Sequence, residues 1–140
     1  MTQLQRPYLL IADDDPDDQE MFAEPFLEQN PGANIVFVND GQAALEYLGK
    51  HEGDWPCVML LDYKMPKLNG CDVLAKIKKE DRYKSMHKVV WSTSDNPDYV
   101  SNCLRHGADK YFKKPNSIEE LNDLVRYLSK VYQSAQASVQ

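Results

Sequence analysis

Five aspartates fall between positions 13 and 18: Asp13, Asp14, Asp15, Asp17 and Asp18. They directly follow the apolar run Tyr8-Leu9-Leu10-Ile11-Ala12. A run that is apolar without alternation fits a short strand buried on both faces. Carboxylates crowded at a strand end repel one another, so some must take up protons unless a cation neutralises them. Oxygen donors of this kind suit a hard divalent ion, Mg²⁺ first and Mn²⁺ as an alternative. The chemistry this suggests is metal-dependent and involves phosphate.

Local structure explains part of the cluster. Asp15 is a good helix N-cap, Pro16 fits the first helical position, and Asp17 and Asp18 complement the positive end of a helix dipole. These three carboxylates are therefore assigned to helix initiation. Asp13 and Asp14 precede the cap, where capping gives them no task, and they are the candidate metal ligands.

A strand-then-helix alternation must position these groups. Strands are expected at 7–12, 34–38, 57–61, 88–92 and 109–112, and helices at 16–29, 41–49, 70–80, 97–106 and 117–132. Asn30-Pro31-Gly32 stops the first helix, Asn96-Pro97 opens the fourth, and Ser117-Ile118-Glu119-Glu120 is a capping box for the last. Five such units imply an α/β fold: a (βα)5 doubly wound, five-stranded parallel sheet with helices on both faces. Pro25 should bend the first helix. Residues 133–140 lack an apolar period and are expected to form a frayed polar tail after a domain spanning 7–132.

Composition bounds the function. The 140 residues suit one domain with a real core. With 16 basic and 22 acidic residues the net charge is −6, which argues against a nucleic-acid surface. No apolar stretch reaches membrane-span length, and the N-terminus lacks a secretory signal pattern. Cys57, Cys71 and Cys103 are odd in number and free of CxxC spacing, so they read as reduced thiols in a cytoplasmic protein.

In an open parallel sheet, ligands bind beyond the carboxyl ends of the strands. The first strand ends in Asp13-Asp14 and the third delivers Asp62. The fourth delivers Ser92-Thr93-Ser94, and the fifth ends in Lys113-Lys114-Pro115. Singly, an aspartate after a strand is a turn residue and a lysine is a solvated one. Jointly, acids, a hydroxyl and an ammonium on one rim can hold a divalent ion and a phosphoryl group together.

These residues carry a resemblance over roughly 7–130 to the receiver domain of two-component response regulators. Leu60-Leu61-Asp62-Tyr63-Lys64-Met65-Pro66-Lys67-Leu68-Asn69-Gly70 follows that family's pattern of Asp, two residues, Met-Pro, three residues and Gly. Asp13-Asp14 is similar to its acidic pair, Ser92 to its switch hydroxyl, and Lys114-Pro115 to its Lys-Pro pair. Phe37-Val38-Asn39-Asp40-Gly41 and Gly107-Ala108-Asp109 also resemble family signatures. Ser92 stands where Thr is commoner, and Asn116 where an aromatic is frequent. The layout, with no output domain expected, resembles stand-alone regulators of the chemotaxis and phytochrome-associated types.

The resemblance implies a phosphoacceptor signalling protein rather than an enzyme acting on a metabolite. Asp62 takes a phosphoryl group from the phosphohistidine of a sensor histidine kinase or a histidine phosphotransfer protein. Mg²⁺ is held by Asp14, Asp62 and the backbone carbonyl of Lys64, with Asp13 acting through water. Lys114 and Ser92 bind phosphoryl oxygens, Tyr111 turns inward as Ser92 moves, and Lys64 and Ser94 tune the phosphoryl lifetime. The output face comprises helix 97–106, strand 109–112 and helix 117–132, with Asn102, Arg105, Lys110, Glu119 and Asn122 exposed toward a downstream protein. No nucleic acid or membrane partner is expected, and the sequence leaves a homodimer open.

Three rivals remain at this stage. A haloacid-dehalogenase-like phosphatase would use Asp13-Asp14-Asp15 but leaves the Asp62 motif unexplained. A flavodoxin-like cofactor binder would want a hydroxyl- and glycine-rich loop where this chain has carboxylates. A degenerate receiver would not keep the acidic pair with Asp62, Ser92 and Lys114. The cognate kinase, input signal, target and phosphoryl lifetime are not encoded legibly, nor is the choice between terminal effector and phosphorelay intermediate.

Overall fold

The computed structural model describes residues 6–51 and 53–139. Five strands alternate with five helices: β1 (Tyr8–Ala12), α1 (Pro16–Gln29), β2 (Asn34–Val38), α2 (Gly41–Lys50), β3 (Val58–Asp62), α3 (Gly70–Lys78), β4 (His87–Ser92), α4 (Pro97–Arg105), β5 (Lys110–Lys113) and α5 (Ile118–Val139). All strand pairs are parallel, in the order β2-β1-β3-β4-β5. The chain therefore runs outward in one direction from β1 and in the other from β3, which opens a crevice between those two strands at their carboxyl ends.

Alternation along the strands divides the core in two. Leu10, Ala12, Met59, Leu61 and Val90 pack under α2, α3 and α4. Leu9, Ile11, Val58, Leu60, Val89 and Trp91 pack against Phe22 and Phe26 of α1 and Leu124, Val125 and Leu128 of α5. Every residue of β1 and β3 is buried, as their unbroken apolar character requires.

The capping residues do what their types suggest. Asp15 accepts from the Asp17 N–H at 2.9 Å, Asp40 from Ala43 at 2.7 Å, and Asn96 from Asp98 at 2.9 Å. Asn69 and Asp72 form a reciprocal capping box at the start of α3. The Ser117 hydroxyl accepts from Glu120, whose carboxylate reaches the Asn116 N–H instead of the serine's own.

One local expectation is corrected. The helix α5 does not fray at residue 133 but runs to Val139. Gln133 anchors the extension by donating to Asn30 Oδ1 at 3.0 Å, and Ala135 and Ala137 are strong helix formers that need no apolar stripe. Pro25 lies inside α1, which spans Pro16–Gln29 as expected. The stacked rings of Phe22 and Phe26, 5.3 Å apart, bracket it and fasten both sides to the core.

Candidate functional site

Register alone gathers the chemistry. Ala12 pairs with Leu61, so Asp13 emerges beside Asp62; Asp62 pairs with Trp91, and Ser92 pairs with Lys113, one residue before Lys114. Asp13, Asp14 and Asp62 bring one carboxylate oxygen each within 4.8 Å of one another. Asp13 and Asp62 are buried and Asp14 is exposed, so the pocket opens to solvent on the Asp14 side.

Lys114 is the counter-charge. Its Nζ lies 2.7 Å from Asp18 Oδ2, 3.0 Å from Asp13 Oδ2 and 3.3 Å from Asp62 Oδ2. It also stands 5.0 Å from the ring centroid of buried Trp91, a cation–π distance. Burial pulls its ammonium toward neutrality, but Asp18, Asp13 and Asp62 outweigh that and hold it protonated above the ordinary lysine range.

One ammonium does not balance the buried carboxylates. Burial, then the charge of Asp13, pushes Asp62 up to about 7 against the pull of Lys114 and of the Lys64 N–H, which donates to Asp62 Oδ1 at 3.3 Å. Burial likewise raises Asp13, although the Asp15 N–H and Lys114 oppose it. Asp13 Oδ2 is buried, and the Lys114 ammonium it meets at 3.0 Å is shared with Asp18 and Asp62. Three clustered carboxylates, two of them buried and sharing one ammonium, form a donor set that a hard divalent cation satisfies.

The remaining expected residues fall around this pocket. Ser92 is buried; its Oγ accepts from the Ser94 N–H at 3.2 Å, and its carbonyl accepts from the Lys114 N–H at 2.6 Å. Half-buried Tyr111 donates its hydroxyl to the Ser94 carbonyl at 2.6 Å, which ties β5 to the loop after β4. Lys64 is exposed and Ser94 half-buried, flanking Asp62 and Ser92 respectively. On the α4-β5-α5 face Arg105, Lys110, Glu119 and Asn122 are exposed as expected, whereas Asn102 is half-buried against the α4 C-terminus, where its carbonyl accepts from His106.

Sequence reasoning missed several supports. Gln19 Nε2 donates to the Asp13 carbonyl at 2.7 Å and steadies the β1 end. Tyr63 stacks on Tyr99 of α4, ring centroids 4.7 Å apart and planes within 17°. Gly70, already part of the Asp62 motif, gains its physical reason, since a Cβ there would meet the Asp62 carbonyl oxygen at 2.8 Å. Asp18 was assigned to the helix dipole alone, yet it makes the shortest of the three contacts with Lys114.

The phosphatase alternative needed Asp15 in the cluster, but Asp15 is exposed and turned to cap α1. His51 and His106 cap the C-terminal ends of α2 and α4, and His87 starts β4, all away from the carboxyl edge of the sheet.

A parallel (βα)5 domain with an acidic pocket at its topological switch point and a lysine following the edge strand β5 is a receiver-type α/β domain. Residues 9–126 match the response regulator receiver domain, and the chain belongs to that family of two-component signalling proteins. The phosphorylated cyanobacterial phytochrome response regulator RcpA superposes with a TM-score of 0.82 at 26% identity, over 92% of this chain and 95% of that one. The Mn²⁺-bound form of response regulator Rcp1 superposes with a TM-score of 0.75 at 26% identity, over 89% and 93%. Among curated proteins, the probable methanogenesis regulatory protein FilR2 of Methanothrix harundinacea is 35% identical over 101 residues, 70% of this chain and 65% of that protein. The two-component response regulator ARR8 of Arabidopsis thaliana is 28% identical over 139 residues, 88% of this chain and 61% of that one. The chain thus spans under two thirds of the length of these curated relatives. No helix among the described residues is long and apolar enough to cross a membrane.

Proposed function

We propose that Asp62 is the phosphoacceptor of this receiver, taking a phosphoryl group from a phosphohistidine on a histidine kinase or histidine phosphotransfer protein. The observation that carries this reading is the convergence of Asp13, Asp14 and Asp62 within 4.8 Å, with the Lys114 ammonium 3.3 Å from Asp62. An Asp62 carboxylate oxygen attacks phosphorus, the P–N bond breaks, and the donor imidazole keeps the bonding pair. Asp13, Asp14 and Asp62 would hold the divalent ion, Mg²⁺ by preference, with the Lys64 carbonyl as a further ligand. Bound there, the ion would offset the negative charge of the carboxylates and of the transferred group. Lys114 pairs with one phosphoryl oxygen and Ser92 donates to another, and Lys64 and Ser94 at the mouth tune how long the group survives.

Output is a population shift in the α4-β5-α5 face, where Tyr111 changes position as the loop holding Ser92 and Ser94 closes on the phosphoryl group. A downstream protein reads that face in the cytoplasm, a setting that suits three free thiols.

Intact mass after incubation with Mg²⁺ and a small-molecule phosphodonor tests the reading. One added phosphoryl group on wild type and none on Asp62→Asn is expected. Equal labelling of both proteins, or none on wild type with the cation bound, would overturn it.

A further inference from the structure

Lys114 has to satisfy two incompatible demands. Its ammonium must stay at the rim to meet a phosphoryl oxygen, yet two of its three carboxylate partners, Asp13 and Asp62, belong to the cation pocket. An ammonium seated between those two competes with a divalent ion for the same oxygens. Asp18 offers a way out. It lies in the first turn of α1, half-buried, outside the cluster of Asp13, Asp14 and Asp62, and it holds Lys114 at 2.7 Å. Helix initiation does not require it, because Asp15 caps the helix and Asp17 already complements the dipole.

We propose that Asp18 is a positioning residue that shares the Lys114 ammonium with the metal-binding carboxylates, loosening its hold on Asp13 and Asp62 so that a cation can displace it while the lysine stays at the site. The inference rests on the reading of the acidic pocket given above. The buried Trp91 ring, its centroid 5.0 Å from Nζ, helps to hold the ammonium at the site. Without the Asp18 carboxylate, Lys114 has only Asp13 and Asp62 to pair with. It then settles between them and must be displaced before a cation can bind.

The test is a Mn²⁺ titration followed by the paramagnetic resonance signal of the free ion, on wild type, Asp18→Asn and Asp17→Asn. Asp17 is exposed, sits in the same helical turn and makes no ion pair with Lys114, so Asp17→Asn removes an equal charge and reports the unspecific electrostatic loss. Asp18→Asn should weaken Mn²⁺ binding roughly threefold to tenfold beyond Asp17→Asn, the scale of a charge pair near a protein surface. In a Lys114→Met background that excess should vanish, since the competitor is gone. Equal weakening by both aspartate variants would overturn the role of Asp18, as would an excess that survives without Lys114. Wild type that binds no Mn²⁺, or binds it equally well after Asp62→Asn, would instead overturn the pocket itself.

Discussion

Asp62 is a buried carboxylate whose ionisation the fold opposes, so Asp62→Asn should stabilise the metal-free protein in a pH-dependent way. Burial and Asp13 lift its pKa from 3.8 to about 7. Because the folded-state value lies above the unfolded one, the folded protein binds more protons between the two. Stability contributed by this group is therefore present below about pH 4, falls as pH rises through the window, and is fully lost above about pH 7. The rise covers about three pH units at about 1.4 kcal/mol each, so the ionised group costs about 4 kcal/mol. Asparagine mimics the protonated acid and does not titrate. Removing the Asp62 charge also relieves Asp13, which moves the result in the same direction. The expected outcome is that the variant leads wild type by only about 1 kcal/mol near pH 4.5 and by about 4 kcal/mol at pH 8. The measurement is urea unfolding followed by circular dichroism in the presence of a chelator, repeated at four pH values. Saturating Mg²⁺ should close the gap from the wild-type side, because a ligand that binds only the native state stabilises it by mass action. A difference between the two proteins that stays constant from pH 4.5 to pH 8 would refute the electrostatic argument.

Two further outcomes follow from packing. Gly70→Ala places a methyl group 2.8 Å from the Asp62 carbonyl oxygen, a backbone atom of a central strand that cannot retreat; a loss of about 1–3 kcal/mol is expected, read as a melting temperature lowered by several degrees, together with slower phosphoryl uptake. Asn30→Ala removes a buried side chain that donates to the Phe26 carbonyl and Ser129 Oγ and accepts from Gln133; urea unfolding should show a loss of about 1–3 kcal/mol, with phosphoryl uptake by intact mass unchanged, because the network lies at the opposite end of α1 from the pocket.

The fold was legible because its signals are short-range. Each strand fell within a residue or so of its apolar run, and Asp15 and Asn96 capped their helices with their own side chains. The pocket was legible for a topological reason: a parallel register places residues that follow successive strands on one edge, so Asp13, Asp62, Ser92 and Lys114 could be grouped before any distance was known. Asp18 was not legible. A carboxylate in the first turn of a helix already has a sufficient local explanation, and its ion pair spans 96 positions of sequence. The end of α5 was misread for a related reason. Periodicity reports only helices with a buried stripe, whereas residues 133–139 stay helical on intrinsic propensity and one hydrogen bond to Asn30.

The Tyr63–Tyr99 stack joins the loop beside Asp62 to the helix α4. Information can then run backward as readily as forward. Whatever holds α4 in one position also restrains the loop that follows the Asp62 strand, and thermodynamic linkage requires the two effects to be equal in free energy. A molecule recruited to α4 would by that route alter the binding affinities of the pocket, so the reader of the signal would also help to set how strongly it is held.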